Sequence, residues 1–105
     1  MTTFDSREAA FENQFARDAD LQFRVFARRD KLAGLWAAEK LGITGTDADA
    51  YAKSVILSDL EEAGDEDVVR KLVTDLARVG IGDAEIRKLL DEKQAEARRQ
   101  VMETL

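Results

Sequence analysis

The sequence predicts an all-α protein: an antiparallel four-helix bundle with a mobile N-terminal arm. Three observations carry this expectation. The chain of 105 residues contains no proline, so no pyrrolidine ring interrupts a helix anywhere. Five of its six glycines fall in three short connectors, LGITGTDAD, EEAGDEDVV and VGIGDAEI, which read as helix stops followed by acidic helix starts. Between the connectors apolar residues recur at a spacing near 3.6 rather than in alternation.

Each element follows in order. Residues 1–17 form the predicted arm, disordered or partly helical when free, and residues 18–105 the bundle. The first bundle helix, about 18–41, has Leu21, Val25, Leu32, Leu35 and Trp36 on its stripe, and Gly42 follows its end. The second, about 47–63, starts after a Thr46 cap and shows Ala48, Tyr51, Ala52, Val55, Ile56 and Leu60 on one face. Gly64 suits a left-handed stop and Asp65 caps the third helix, about 66–79, with Val69, Leu72, Val73 and Leu76 inward. Gly80 and Asp83 repeat that punctuation before a fourth helix, about 84–103, carrying Ile86, Leu89, Leu90, Ala97 and Val101. Its EKQAEARRQ stretch is polar enough to predict turns that fray or extend past the core. Connectors of a few residues make successive helices antiparallel neighbours.

Composition removes several classes of function. The absence of cysteine and histidine excludes thiol nucleophiles, disulfides, imidazole bases and the usual zinc ligands. The net charge of −6 argues against binding nucleic acid through phosphate neutralisation. No stretch has the length of a membrane span or the pattern of a secretory leader, so the expected location is cytoplasmic, without direct membrane insertion. Glu61, Glu62, Asp65 and Glu66 lack a Glu-x-x-His pair or a calcium-loop spacing, and no glycine loop cradles phosphate. No metal, no cofactor and no catalytic residue is predicted. The charge is uneven: residues 21–42 carry +3 and residues 43–64 carry −4. The Arg28, Arg29 and Lys31 cluster is therefore expected to pair with the acidic second helix.

The opening residues raise a separate question. Phe4, Phe11 and Phe15 are seven and four residues apart, which puts their rings on one helical stripe. At about 100° per residue, Phe26 joins that stripe and Phe23 lies at its edge, while Leu21, Val25, Leu35 and Trp36 centre about 90° away. A helix running unbroken from Phe4 to Leu41 would be about 57 Å long, more than the other helices can cover. The front end must overhang, fray or fold back, and an isolated helix of about 15 residues is marginal in water. Pattern alone leaves two readings open, an ordinary core stripe or a helix that inserts into a partner's groove.

The residues that carry a resemblance are FDSREAAFENQF from Phe4, then Phe23, ARR at Ala27 to Arg29, KLAGLWAAEKLG from Lys31, YAKSV from Tyr51 and GDEDVVRK from Gly64. In order and spacing they resemble the zeta subunit family of alpha-proteobacterial ATP synthases, departing at Ser6, where the family has an acid, and at Leu60, where it has an aromatic. The resemblance implies a protein inhibitor, not an enzyme, that blocks ATP hydrolysis by the F-type synthase. Its N-terminal arm would insert as a helix at the interface of the alpha and beta subunits beside the gamma shaft and stop rotation in the hydrolytic direction. The implied partner-binding residues are Phe4, Asp5, Arg7, Glu8, Phe11, Glu12 and Phe15, the rings as anchors and the charges as register. A monomer, associated peripherally with the membrane-bound synthase, is expected. Two alternatives remain, a helical adaptor for another partner and a small-ligand-binding bundle. If the arm is surplus to the interior, Phe11→Ala should scarcely change the melting temperature.

Overall fold

The computed structural model describes residues 3–60 and 64–105, with side chains from Ser6 onward. The described chain is all-α: α1 (Thr3–Phe15), α2 (Ala19–Leu41), α3 (Gly45–Ser58), α4 (Glu66–Leu76) with a 3-10 turn (Ala77–Val79), and α5 (Asp83–Glu103). Helix α2 is the spine, packing along both α3 and α5, while α4 bridges α3 and α5.

Gly42 at φ 76° and Gly80 at φ 77° take the left-handed conformation a helix stop requires, whereas Gly64, also left-handed at φ 87°, lies beyond the Ser58 end of α3 and stops no described helix. After Gly42 the Ile43 N–H returns to the Ala38 carbonyl at 2.8 Å, the six-to-one bond that closes a Schellman motif. Gly34 has a different reason. A Cβ there would lie 2.6 Å from the Ala52 Cα, so its absence lets the backbones of α2 and α3 meet along a seam of small residues.

Boundaries shift where carboxylates find better work than capping. Helix α3 begins at Gly45 after Thr44, not after Thr46, and closes at Ser58. Its predicted end at 63 falls on residues 61–63, outside the described residues. Leu60, expected on the inner face, is 56% exposed, because the helix has already closed before it. Asp65 precedes α4 as expected but makes no side-chain cap bond; its Oδ1 accepts from Arg29 Nη1 at 2.9 Å.

That arginine divides the interior. Leu21, Val25, Arg29, Ala33 and Ala37 follow at intervals of four along α2, and all are buried. Ala33 and Ala37 belong to a main core with Val55, Val68, Leu72, Leu76 and Ile86. Leu21 and Val25 belong to a smaller one with Phe11, Ala97, Val101 and Met102. Between the two lies Arg29, 0% exposed, bonded to Asp30 and Asp59 and reaching Gln94 on α5 at 3.4 Å. The predicted pairing of basic and acidic segments is thus made by Arg29, inside the fold rather than on its surface. Burial, and then the hydrogen-bonded Asp59 carboxylate, push Asp30 up to about 8. Near neutral pH it holds a proton that it can share with Asp59 Oδ1, a buried atom with no other donor among the described residues.

Removing one partner of a buried ionic cluster strands the rest, at a cost of about 3–5 kcal/mol. Arg29→Ala should therefore lower the melting temperature by about 12 °C or more, read by circular dichroism. The Asp30 carboxyl sets a pH trend. Its pKa when folded lies above the ordinary carboxylate value, so its contribution is complete below the unfolded pKa and is lost as pH rises through about 8. Urea unfolding at pH 6 and pH 9 should show the native protein weaker at the higher pH. Asp30→Asn should reduce that difference.

Candidate functional site

The arm folds back. No glycine or proline marks the break between α1 and α2; side chains make it. Asp18 leaves helical geometry at φ −111°, ψ 105°, and caps α2 by accepting from the Leu21 N–H. That bond, with a second from Gln14, holds the Asp18 carboxyl below the usual range. Gln22 Nε2 donates to the Phe15 carbonyl at 2.7 Å and Arg17 Nε to the Asn13 carbonyl at 3.3 Å, supplying donors to the open end of α1.

The fold-back brings Phe11 against Leu21, Val25, Ala97, Val101 and Met102. At 4% exposure that ring is core, which corrects the expectation of a surplus ring whose loss would leave stability unchanged. The physical reason lies in α5: the polar EKQAEARRQ turns do not fray. They present Ala97, Val101 and Met102 as the other wall of a second, smaller core.

Charge and ring stacking complete the contact. Arg98 of α5 makes an ion pair with Glu12 and lays its guanidinium over Phe15 at 4.8 Å and Phe11 at 5.8 Å. Phe11 and Phe15 stack at 6.1 Å, Phe15 meets Phe26 at 6.3 Å, and Phe26 faces the Arg29 guanidinium at 5.0 Å. Arg7 Nη2 donates to the Met102 carbonyl at 3.1 Å. Beside these contacts runs a groove of about 500 Å³ between α1 and α5, with Glu8 and Glu12 on one wall and Arg98 and Arg99 on the other.

Five of the seven residues singled out in the sequence are therefore described. Phe11, Glu12, Phe15 and Arg7 all make contacts within this region, and Glu8 is exposed on its rim. The side chains of Phe4 and Asp5 lie outside the described residues. Sequence reasoning missed Arg98, whose signal was only its place one residue after Ala97 on the fourth stripe. Trp36 and Tyr51 pack against the main core as expected, and the Tyr51 hydroxyl donates to Asp75 at 2.8 Å. Burial and that carboxylate raise the phenol's pKa. Among the described residues no group of acids is arranged to hold a metal ion; Asp65 pairs with Arg29 and Glu66 with Arg87. No helix among them is long and apolar enough to cross a membrane.

Fold and groove define a small all-α protein that carries a short helix on its own body by rings and charge. The family model for ATPase inhibitor subunit zeta matches residues 1–100, and the chain belongs to that family. A protein solved in solution by NMR is similar to it over the fold, at 48% identity and a TM-score of 0.73, covering 81% of this chain and 99% of that one. No curated protein sequence matches the chain.

Phe11→Ala should remove about 3 kcal/mol of the contact that holds α1. Hydrogen exchange would then show amides of α1 losing protection while those of α4 and the first half of α5 keep theirs. Equal loss in both regions would mean that the smaller core is not a separate unit.

Proposed function

We propose that this chain inhibits ATP hydrolysis by the F-type ATP synthase. The arm leaves the α5 groove and inserts as a helix at the interface of the alpha and beta subunits, beside the gamma shaft, blocking rotation in the hydrolytic direction. The observation that carries this reading is the family match, which runs through the arm as well as the body. The body stays outside the cleft as a stopper, holding the inhibitor at the periphery of the membrane-bound enzyme.

The arm's packing supports a detachable helix. Its apolar contacts lie in the smaller core, on the far side of the Arg29 layer from the larger one. Undocking uncovers Phe11 and more of Phe15, at about 1.5–3 kcal/mol for a fully buried ring. Insertion into an apolar cleft recovers that free energy. Phe4, Phe11 and Phe15 are the anchors in this scheme, and Asp5, Arg7, Glu8 and Glu12 set register through charge pairs at the cleft edge. Arg98 then competes with the partner: it holds Glu12 and both rings in the free protein. The fraction of molecules with the arm free scales the apparent affinity.

Deleting residues 1–15 should leave the body folded and abolish inhibition of hydrolysis by the matching synthase head; inhibition that survives the deletion would refute the scheme. Arg98→Ala, which touches nothing inserted, should speed the onset of inhibition several-fold. A slower onset would mean that Arg98 itself meets the synthase.

A further inference from the structure

Among the described residues, the phenylalanine ring that is surplus to the interior is Phe23. It is 53% exposed, while Phe11 is buried and Phe15 and Phe26 are half-buried. Around it α2 places Arg24, Arg28 and Lys31, at intervals of four and three, so their side chains share a face. All three are exposed. Arg24 donates to Thr104 Oγ1 and Arg28 to Gln100 Oε1, both neutral groups. None of the three enters an ion pair among the described residues, where nine other pairs form. Asp18 is the acid that feels Arg24; Arg28 and Lys31 have no acid partner among the described residues, so in a chain of net charge −6 the row is a strip with a local excess of positive charge. The strip borders a groove of about 280 Å³ lined also by Ala27, Ile56 and Val101.

We propose that this strip is a second docking surface, which takes an amphipathic helix of a partner protein bearing a row of carboxylates beside its apolar face. Phe23 and the Ile56 wall bury the partner's apolar residues, and Arg24, Arg28 and Lys31 meet its acids at the rim. The charge pattern selects that partner. A phosphate backbone would require more cations than three to bind well at physiological salt. A bilayer is flat, whereas here the apolar atoms line a recess. The proposal rests on the function given above only in taking the synthase head as the natural source of that helix.

Two experiments separate the two ideas. In the first, the isotope-labelled full chain is titrated with a synthetic amphipathic helix carrying Glu at i, i+4 and i+7 beside a leucine face, with a scrambled peptide of equal charge as control. Amide shifts should concentrate on residues 23–31 and 56 and vanish with the scrambled peptide. Shifts centred on the α1 groove, or equal with both peptides, overturn the proposal. In the second, native chain, Lys31→Glu, Phe23→Ser and the triple variant Arg24→Glu, Arg28→Glu, Lys31→Glu are compared for affinity to the purified synthase head at low and high salt. Lys31→Glu and Phe23→Ser change exposed positions and guard against misfolding of the triple variant, which is checked by melting. The expected result is a loss of about tenfold for the triple variant and a flatter salt dependence. Equal affinity for all four chains overturns the surface while leaving the arm mechanism standing. If the native chain does not bind the head, the function above fails and the peptide titration alone decides the surface. Preferential binding of the native chain to phosphatidylglycerol vesicles, lost in the triple variant, also overturns it.

Discussion

A single buried guanidinium organises this molecule. Arg29 occupies a position on α2 where the stripe on either side is apolar, and it is held there by carboxylates from three places in the chain, Asp30, Asp59 and Asp65. Its cost of desolvation is offset only while all of those partners are in place. It therefore fixes where α3 must end and where α4 must begin, since Asp59 follows one and Asp65 precedes the other. Gln94 extends the polar layer across to α5. The interior is two apolar compartments with a charged partition between them.

The partition has a mechanical meaning for the arm. Among the described residues the buried contacts of α1 lie in the smaller compartment, so under the proposed function the larger one can persist when the arm lifts. Yet the compartments are not isolated. Arg98, Phe15, Phe26 and Arg29 form a series from the surface inward, two rings between two cations. The outer and inner steps set a positive group over a ring, and the middle step is a tilted contact between two rings. Under the proposed function, lifting α1 removes Phe15 from the middle of that series and leaves Arg29 with Phe26 alone. The arm's position is thereby felt at the partition without any movement of the main core.

Much of the architecture was legible because it depends on local physics. Glycines 42 and 80 stop helices by a conformation only glycine takes cheaply, and the apolar period of each helix marks the face it buries. The angle between the phenylalanine stripe and the bundle stripe was legible too; it left overhang, fraying and fold-back open, and the expectation of a surplus Phe11 ring failed because the chain folds back. Asp18 and its neighbours break the helix by side-chain capping, a signal far weaker in sequence than a glycine. Once the chain turns back, the offset vanishes for Phe11 and survives for Phe23. Arg29 was read only as one of a basic cluster pairing with the second helix; its burial was not legible, because its partners at Asp59 and Asp65 are distant in sequence and their convergence is tertiary. The wall that receives Phe11 was hidden for a related reason: Ala97, Val101 and Met102 are a thin apolar line within a very polar segment, and its value appears only when another helix lies on it.

The bare Cα of Gly34 has one more consequence. Where it meets Ala52 the two backbones are in near contact, with no flexible side chain between them to shear or repack. Any side chain larger than hydrogen at this position would have to push α2 away from α3. Under the proposed function, a body joined there backbone against backbone is the part that bears the load when the arm is held.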